Sequence, residues 1–204
     1  MKPTTFAVLA TAWLGLLVVA FVVEPTFDPW LQSHAPRGSW LRPVLRGCYA
    51  VLDVPTYFVL GAALLLHPRR VRLLAAYVAT IAAAVAALHL LKFVFGRGRP
   101  MTGEGLAGEF TWFGDPRLDL DSFPSGHALT AFLLAGLAGL YLPQTRWLLF
   151  PIAALAALSR VATEMHYLSD VVASMGLALF FVWLGLRVWG REAFPSLLRS
   201  PARP

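Results

Sequence analysis

The chain has 204 residues, of which 58% are hydrophobic and only 14% are charged. A soluble domain of this size carries about 25% charged residues, so the composition excludes a water-soluble globular protein and predicts one compact all-α membrane domain over residues 1–204. The single cysteine, Cys48, excludes an intramolecular disulfide, and no Cys/His spacing resembles a zinc site.

Long apolar runs, ended by proline, glycine or charged residues, predict six transmembrane helices. They lie at about residues 5–23, 47–66, 71–95, 124–142, 145–162 and 169–189. The first run, from Phe6 to Val23, is longer than the roughly 7 to 15 apolar residues of a secretory signal. We therefore interpret it as an uncleaved span, with a signal peptide as the alternative.

The net charge of +6 would suit a nucleic-acid-binding protein, but the positions of the charges favour another explanation. With the N-terminus in the cytoplasm, nine basic residues fall on the inner side against Glu192 alone. Basic residues in short loops set membrane orientation. The surplus therefore indicates a multi-pass protein of the inner (plasma) membrane with no nucleic-acid partner, and it leaves the oligomeric state open.

Two long segments are predicted on the outer side, at residues 24–46 and 96–123. The first mixes tryptophans with arginines, which is typical of a segment lying in the headgroup layer; a role in recruiting substrate is the alternative. At the other end of the chain, residues 191–204 are expected to form a cytoplasmic tail, and its Pro-rich part, PSLLRSPARP at 195–204, is expected to be disordered.

Three polar clusters border the predicted helices. KFVFGRGRP at 92–100 closes the third, SFPSGHA at 122–128 opens the fourth, and SRVATEMHYLSD at 159–170 connects the fifth to the sixth. No span separates the first cluster from the second, and two spans separate the second from the third. All three clusters must therefore lie on one face of the membrane, predicted to be the outer face.

The pooled residues suit phosphate chemistry. Four cations, Lys92, Arg97, Arg99 and Arg160, concentrate positive charge, and arginine presents a planar fork that matches phosphate oxygens. Ser125 and Gly126 would present backbone N–H groups at a helix N-terminus, which is a second anion-binding device. For Arg97 alone, a headgroup contact and a solvated charge remain equal alternatives.

Two histidines and one carboxylate complete the set. His166 and Asp170 are four residues apart, close enough for the carboxylate to fix the imidazole tautomer and strengthen its other nitrogen as a nucleophile. His127 comes from a different element and is available to protonate a leaving oxygen. This division of roles favours two-step phosphoryl transfer through a phosphohistidine.

The spacing K-x6-R-P, then P-S-G-H, then S-R-x5-H-x3-D resembles the three-part signature of the type 2 phosphatidic acid phosphatase (PAP2) superfamily, the membrane lipid phosphatases. It is met at Lys92, Arg99, Pro100, Pro124, Ser125, Gly126, His127, Ser159, Arg160, His166 and Asp170. By motif, the resemblance covers about residues 90–190.

The resemblance implies a role for each matched position. His166 would be the nucleophile, Asp170 its orienter and His127 the general acid. The phosphate would be bound by Lys92, Arg99, Ser125, Gly126 and Arg160. It also implies a lipid phosphate as substrate and no metal or other cofactor.

The implied substrates are undecaprenyl pyrophosphate, phosphatidylglycerol phosphate, phosphatidic acid and lipid A phosphate. Two alternatives remain open: a lipid phosphotransferase with the same phosphohistidine, and a non-catalytic carrier or flippase for lipid phosphates. Binding alone has no need of a nucleophile, its orienter and an acid, so the carrier is the weaker alternative.

Overall fold

The computed structural model describes residues 3–35, 39–101, 107–113 and 120–197. Within these ranges the chain is helical, and the β-structure is limited to two isolated bridges that join residues 97–98 to residues 107 and 110. The helices are α1 (Pro3–His34), α2 (Leu41–Val51), α3 (Val54–Leu65), α4 (Arg70–Phe95), α5 (Gly126–Tyr141), α6 (Arg146–Ala162) and α7 (Leu168–Trp189). The predicted all-α architecture is confirmed.

Four segments are long and apolar enough to cross a membrane: Ala7–His34, Arg70–Phe95, Pro143–Ala162 and Leu168–Trp189. Two further apolar helices, α3 and α5, are shorter. α1 exposes large apolar side chains along its length, including Val8, Leu14, Val18 and Val22. Such surfaces need an apolar solvent, so the chain is a multi-pass membrane protein.

The end of α1 differs from the prediction. We expected the helix to stop near residue 23, before Pro25 and Pro29, but it continues to His34 with both prolines inside it. Proline weakens a helix interior, yet tertiary contacts override local propensity. Here Glu24 and Asp28 are buried against the start of α7, and these contacts hold the last turns of α1 in place.

The second predicted helix, 47–66, is two helices. α2 ends at Val51, and Asp53 begins α3 by accepting a hydrogen bond from the Val54 N–H at 2.7 Å. Pro55 sits in the first turn of α3, where its missing N–H costs nothing. A capping aspartate followed by proline therefore starts a new helix inside what looked like one apolar run.

α5 forms the centre of the bundle, and most of its side chains are buried. Two tyrosine hydrogen bonds connect α5 and its neighbours. The Tyr57 hydroxyl donates to the Thr130 carbonyl at 2.7 Å, and the Tyr77 hydroxyl donates to the Tyr57 carbonyl at 2.9 Å. These bonds link α3, α4 and α5. The fourth predicted helix, 124–142, is this element, beginning two residues later.

The predicted inner end of the bundle is closed by the residues that follow α7. Phe194 is buried, the Leu197 N–H donates to the Tyr141 carbonyl at 2.7 Å, and the Tyr141 hydroxyl donates to the Ala193 carbonyl at 3.2 Å. The first part of the expected tail is therefore packed against the bundle. Residues 198–204 lie outside the described residues.

Candidate active site

Backbone hydrogen bonds join the three motif-bearing segments at one end of the bundle, which we call the site end. The Ser122 N–H donates to the Arg97 carbonyl at 2.9 Å, and the Ser125 N–H donates to the Asp170 carbonyl at 3.3 Å. The first bond links cluster one to cluster two, and the second links cluster two to cluster three. Segments more than 70 residues apart in sequence are thus fixed against one another.

His166 lies at the centre of this end, with 1% of its surface exposed. Its Nδ1 is 2.8 Å from the Ser122 carbonyl oxygen and 3.5 Å from Asp170 Oδ2. A carbonyl oxygen only accepts hydrogen bonds, so Nδ1 carries the proton and Nε2 keeps its lone pair. Burial lowers the pKa of His166, an effect that Arg99 and Lys92 reinforce and Asp170 opposes. The imidazole is therefore neutral at neutral pH.

Asp170 is fully buried in the first turn of α7. Its Oδ2 accepts from the Ser122 hydroxyl at 2.6 Å and from the Tyr167 N–H at 2.9 Å. Ser122 therefore bridges the two side chains, because its hydroxyl donates to Asp170 Oδ2 and its carbonyl accepts from His166 Nδ1–H. We expected a direct carboxylate–imidazole bond, and the serine backbone turns out to be the closer partner.

Arg97 is neither a headgroup contact nor a solvated charge, so both sequence-based alternatives are wrong. Only 3% of it is exposed. Its Nη1 donates to Asp170 Oδ1 and its Nη2 to Glu24 Oε1, each at 2.6 Å, and the guanidinium carbon lies 4.0 Å from the Tyr167 ring centroid. Two carboxylates and one aromatic ring therefore surround this buried cation and compensate for its loss of hydration.

Two acidic residues of α1 complete this buried network, and the sequence analysis missed both. Glu24 Oε2 accepts from the Ser169 N–H at 3.1 Å, and Asp28 Oδ2 accepts from the Leu168 N–H at 3.2 Å. Free N–H groups at a helix N-terminus attract carboxylates. Two acids four residues apart at the end of an apolar run were the available signal, because ionisable groups at membrane depth are usually functional.

Lys92 and Arg99 both form ion pairs with Asp121. Arg99 Nε donates to Asp121 Oδ1 at 2.7 Å, and Lys92 Nζ lies 3.3 Å from Oδ2 and also donates to the Asp121 carbonyl. Burial opposes ionisation of Asp121, but the hydrogen bond from Arg99 and the charge of Lys92 outweigh it and hold its pKa well below the usual range. A carboxylate therefore sits between two of the predicted phosphate ligands.

The start of α5 contributes the remaining predicted residues of the second cluster. Ser125 is the N-cap, and its hydroxyl accepts from the Ala128 N–H at 3.4 Å. Gly126 and His127 occupy the first turn, where N–H groups point out of the helix. His127 is half-buried, and its electrostatic neighbours are Arg160, His166, Asp53 and Arg99.

Arg160 lies in the last turn of α6 and is half-buried. It lines a cavity of about 260 Å³ together with Arg42, Arg46, Ser159, Thr163 and Met165. The site end therefore gathers all eight predicted site residues. Among the residues that the structure describes, no group of three or more His, Cys, Asp or Glu side chains is placed to hold a metal ion.

The fold and the site end define a helical membrane protein whose three polar clusters meet at one end of the bundle. A family model described as PAP2 superfamily matches residues 73–193, so the chain belongs to the PAP2 superfamily. This match covers more than half of the chain and includes all three clusters. Against the curated proteins, no match is found.

Among solved structures, the chain is similar to the crystal structure of a transmembrane PAP2-type phosphatidylglycerolphosphate phosphatase from Bacillus subtilis. The TM-score is 0.52 at 18% sequence identity, and the alignment covers 86% of this chain and 92% of that chain. The similarity supports the fold over nearly the whole chain.

Proposed function

We propose that this protein is a metal-independent lipid phosphatase that hydrolyses a phosphomonoester or a pyrophosphate whose hydrophobic tail stays in the bilayer. The observation that carries the proposal is the tautomer of His166. Its Nδ1 is bound to the Ser122 carbonyl, which leaves Nε2 as a nucleophile, and Lys92 and Arg99 act on it electrostatically. Membership of the PAP2 superfamily supports the same assignment.

In the first step, His166 Nε2 attacks phosphorus, and the bond from phosphorus to the ester or anhydride oxygen breaks. The leaving oxygen takes a proton from the imidazolium form of His127, which becomes neutral, and a phosphohistidine remains. The negative charge spread over the equatorial oxygens is stabilised by Lys92, Arg99 and Arg160 and by the N–H groups at the start of α5.

In the second step, water attacks the phosphohistidine while His127 takes one of its protons. The phosphorus–nitrogen bond breaks, inorganic phosphate leaves, and His166 returns to the neutral form. Asp170 acts as a positioning residue throughout, because its carboxylate bonds Ser122 and Tyr167 and keeps the imidazole in one tautomer.

The substrate would enter sideways between helices at the outer face of the inner membrane. The basic turn around Arg69 and Arg70 supports this orientation, because it lies at the start of α4 whereas Lys92 lies in the last turn of α4. Basic residues in short loops favour the cytoplasmic side. Undecaprenyl pyrophosphate and phosphatidylglycerol phosphate rank first among the substrates that the family resemblance implies. Phosphatidic acid and lipid A phosphate follow.

The test is phosphate release by purified protein in detergent with EDTA present, from a panel of lipid monophosphates and pyrophosphates. We expect turnover by the wild type and none by His166→Ala. The control is His89→Ala, because His89 is exposed on α4, and it should retain full activity. Turnover by a correctly folded His166→Ala protein would refute the nucleophile.

The same assay separates the two competing functions. A phosphotransferase would form product only when a lipid or sugar hydroxyl is added as acceptor, whereas the phosphatase uses water. A carrier or flippase would bind lipid phosphate and release none in either condition. Release of phosphate without an added acceptor therefore distinguishes the proposed activity from both.

A further inference from the structure

α2 places two arginines beside the site end that belong to none of the three motifs. Arg42 and Arg46 are four residues apart and so share one face of the helix. Leu45 is buried, while Trp40, Val44 and Val51 are exposed along another face. α2 is therefore an amphipathic helix that packs beside α6 and turns its two arginines toward the end of that helix.

Arg42 is held in a fixed position by the backbone. Its Nε donates to the Ala35 carbonyl at 2.7 Å, and its Nη2 donates to the Ala162 carbonyl at 3.3 Å. Among the described residues, Glu164 places its carboxylate 4.0 Å from Arg42 Nη2. Arg46 is exposed.

Arg42 and Arg46 line the cavity of about 260 Å³ that Arg160 also lines. That volume is large compared with the roughly 30 Å³ that a water molecule occupies in the liquid. Three arginines line this cavity, and one carboxylate, Glu164, lies 4.0 Å from Arg42 Nη2. This surplus of positive charge favours an anion as occupant. Arg160 also acts electrostatically on His127, and its carbonyl accepts from the His166 N–H at 3.3 Å. The cavity therefore shares Arg160 with the site end.

We propose that Arg42 and Arg46 form a second anion subsite, which holds the phosphoryl group next to the one that reacts with His166. The inference rests on the proposed phosphatase function and narrows its two substrate classes to one: a lipid headgroup that carries two phosphoryl groups, bound in part by residues outside the three motifs. Arg160 lies between the two positions and contacts both groups. Such a subsite raises the rate for a lipid pyrophosphate relative to the monophosphate with the same tail.

The experiment compares kcat/KM for farnesyl pyrophosphate and farnesyl phosphate in detergent. Arg46→Gln is the main variant, because Arg42 is bonded to the backbone and its replacement could disturb α2. We expect the pyrophosphate-to-monophosphate ratio to fall by about tenfold, as the loss of a hydrogen bond to a charged group predicts. Arg46→Lys should restore part of the ratio.

Arg70→Gln is the matched control, since Arg70 is an exposed arginine at the opposite end of the bundle, and it should leave the ratio unchanged. An unchanged ratio in Arg46→Gln overturns the subsite, and so does a wild type that prefers the monophosphate. If the folded wild type hydrolyses neither lipid, the proposed function fails instead.

Calorimetric titration with inorganic pyrophosphate and orthophosphate tests the subsite without turnover. We expect the wild type to bind pyrophosphate about tenfold more tightly than orthophosphate, and Arg46→Gln to lose that difference. If orthophosphate binds as tightly as pyrophosphate, the cavity holds a free phosphate ion and the headgroup subsite is refuted.

Discussion

Arg97 Nη1 lies 2.6 Å from Asp170 Oδ1, and both side chains are buried. This pair connects the residues that follow α4 to the first turn of α7. Because Nη2 of the same guanidinium binds Glu24 at 2.6 Å, it also connects both to α1. One cation therefore neutralises two buried carboxylates that come from different helices.

Replacing Arg97 with glutamine should destabilise the protein strongly. Both carboxylates would lose their cation, and breaking a buried ion pair on one side costs about 3 to 5 kcal/mol. Thermal unfolding in detergent measures the effect. Adding Glu24→Gln to Arg97→Gln should recover part of the loss, since it removes one of the two uncompensated charges.

Arg72→Gln is the control for this prediction. Arg72 pairs with Glu192 at 3.0 Å, but both side chains are more than half exposed, and exposed pairs contribute about 0 to 1 kcal/mol. Equal effects of the Arg97 and Arg72 replacements would contradict the buried network.

The neutral state of His166 predicts the direction of two pKa changes. Removing a nearby cation with Arg99→Gln should raise the pKa of His166, because that charge opposes protonation. Removing the carboxylate with Asp170→Asn should lower it further, because that charge favours protonation.

Nitrogen-15 spectra of histidine-labelled protein measure both shifts, with His166→Gln used to assign the signal. In the wild type, His166 should be less than half protonated at about pH 6.5, where a free imidazole is half protonated, because its pKa is lowered. Its neutral form should carry the proton on Nδ1. A protonated His166 at neutral pH would contradict the proposed nucleophile.

Asp121 pairs with both Lys92 and Arg99, so its carboxylate competes with a phosphate for these two cations. Asp121→Asn should therefore strengthen inhibition by orthophosphate. The Asp121 side chain is 47% exposed, and a contribution of at most about 1 kcal/mol corresponds to a two- to fivefold change.

Inhibition constants from initial rates measure this effect. Glu109→Gln is the matched control, because Glu109 is an exposed acid on the same connection between α4 and α5 and its replacement should change nothing. Weaker inhibition of the Asp121→Asn protein would mean that Asp121 supports phosphate binding.

Close contact between α1 and α7 depends on Gly176. A Cβ at this position would lie 2.0 Å from the Trp13 ring, whose Nε1 donates to the Val172 carbonyl at 2.9 Å. Gly176→Ala should destabilise the bundle by about 1 to 3 kcal/mol, as overpacking does, and lower the thermal unfolding midpoint.

Gly15→Ala is the control, because nothing lies within 4 Å of a Cβ built at Gly15. There alanine should be neutral or stabilising, since glycine in a helix interior costs about 0.5 to 1 kcal/mol relative to alanine. A Gly176→Ala protein as stable as the wild type would contradict the packing of Trp13 on α7.

The apolar runs and the three clusters were predictable from the sequence because both depend on local patterns. A run of about 20 apolar residues indicates a span, and counting spans places the clusters on one face. The break at Asp53 was also encoded locally, by an aspartate two residues before Pro55, but hydropathy alone obscured it.

The burial of Arg97 could not be predicted in this way. Its environment is built by Glu24 of α1 and Asp170 of α7, and nothing local to Arg97 specifies either partner. The continuation of α1 past Pro25 has the same origin, because contacts with α7 outweigh the local preference to end the helix. Tertiary pairing of polar groups was the information that the sequence patterns lacked.

The most direct test of the account is to trap the enzyme during turnover with a phosphorus-32-labelled lipid phosphate. Rapid quenching should yield protein carrying a phosphoryl group that is labile in acid and stable in base, as a phosphohistidine is, and peptide mapping should place it on His166. Label on another residue, or turnover with no labelled protein at any quench time, would contradict the account.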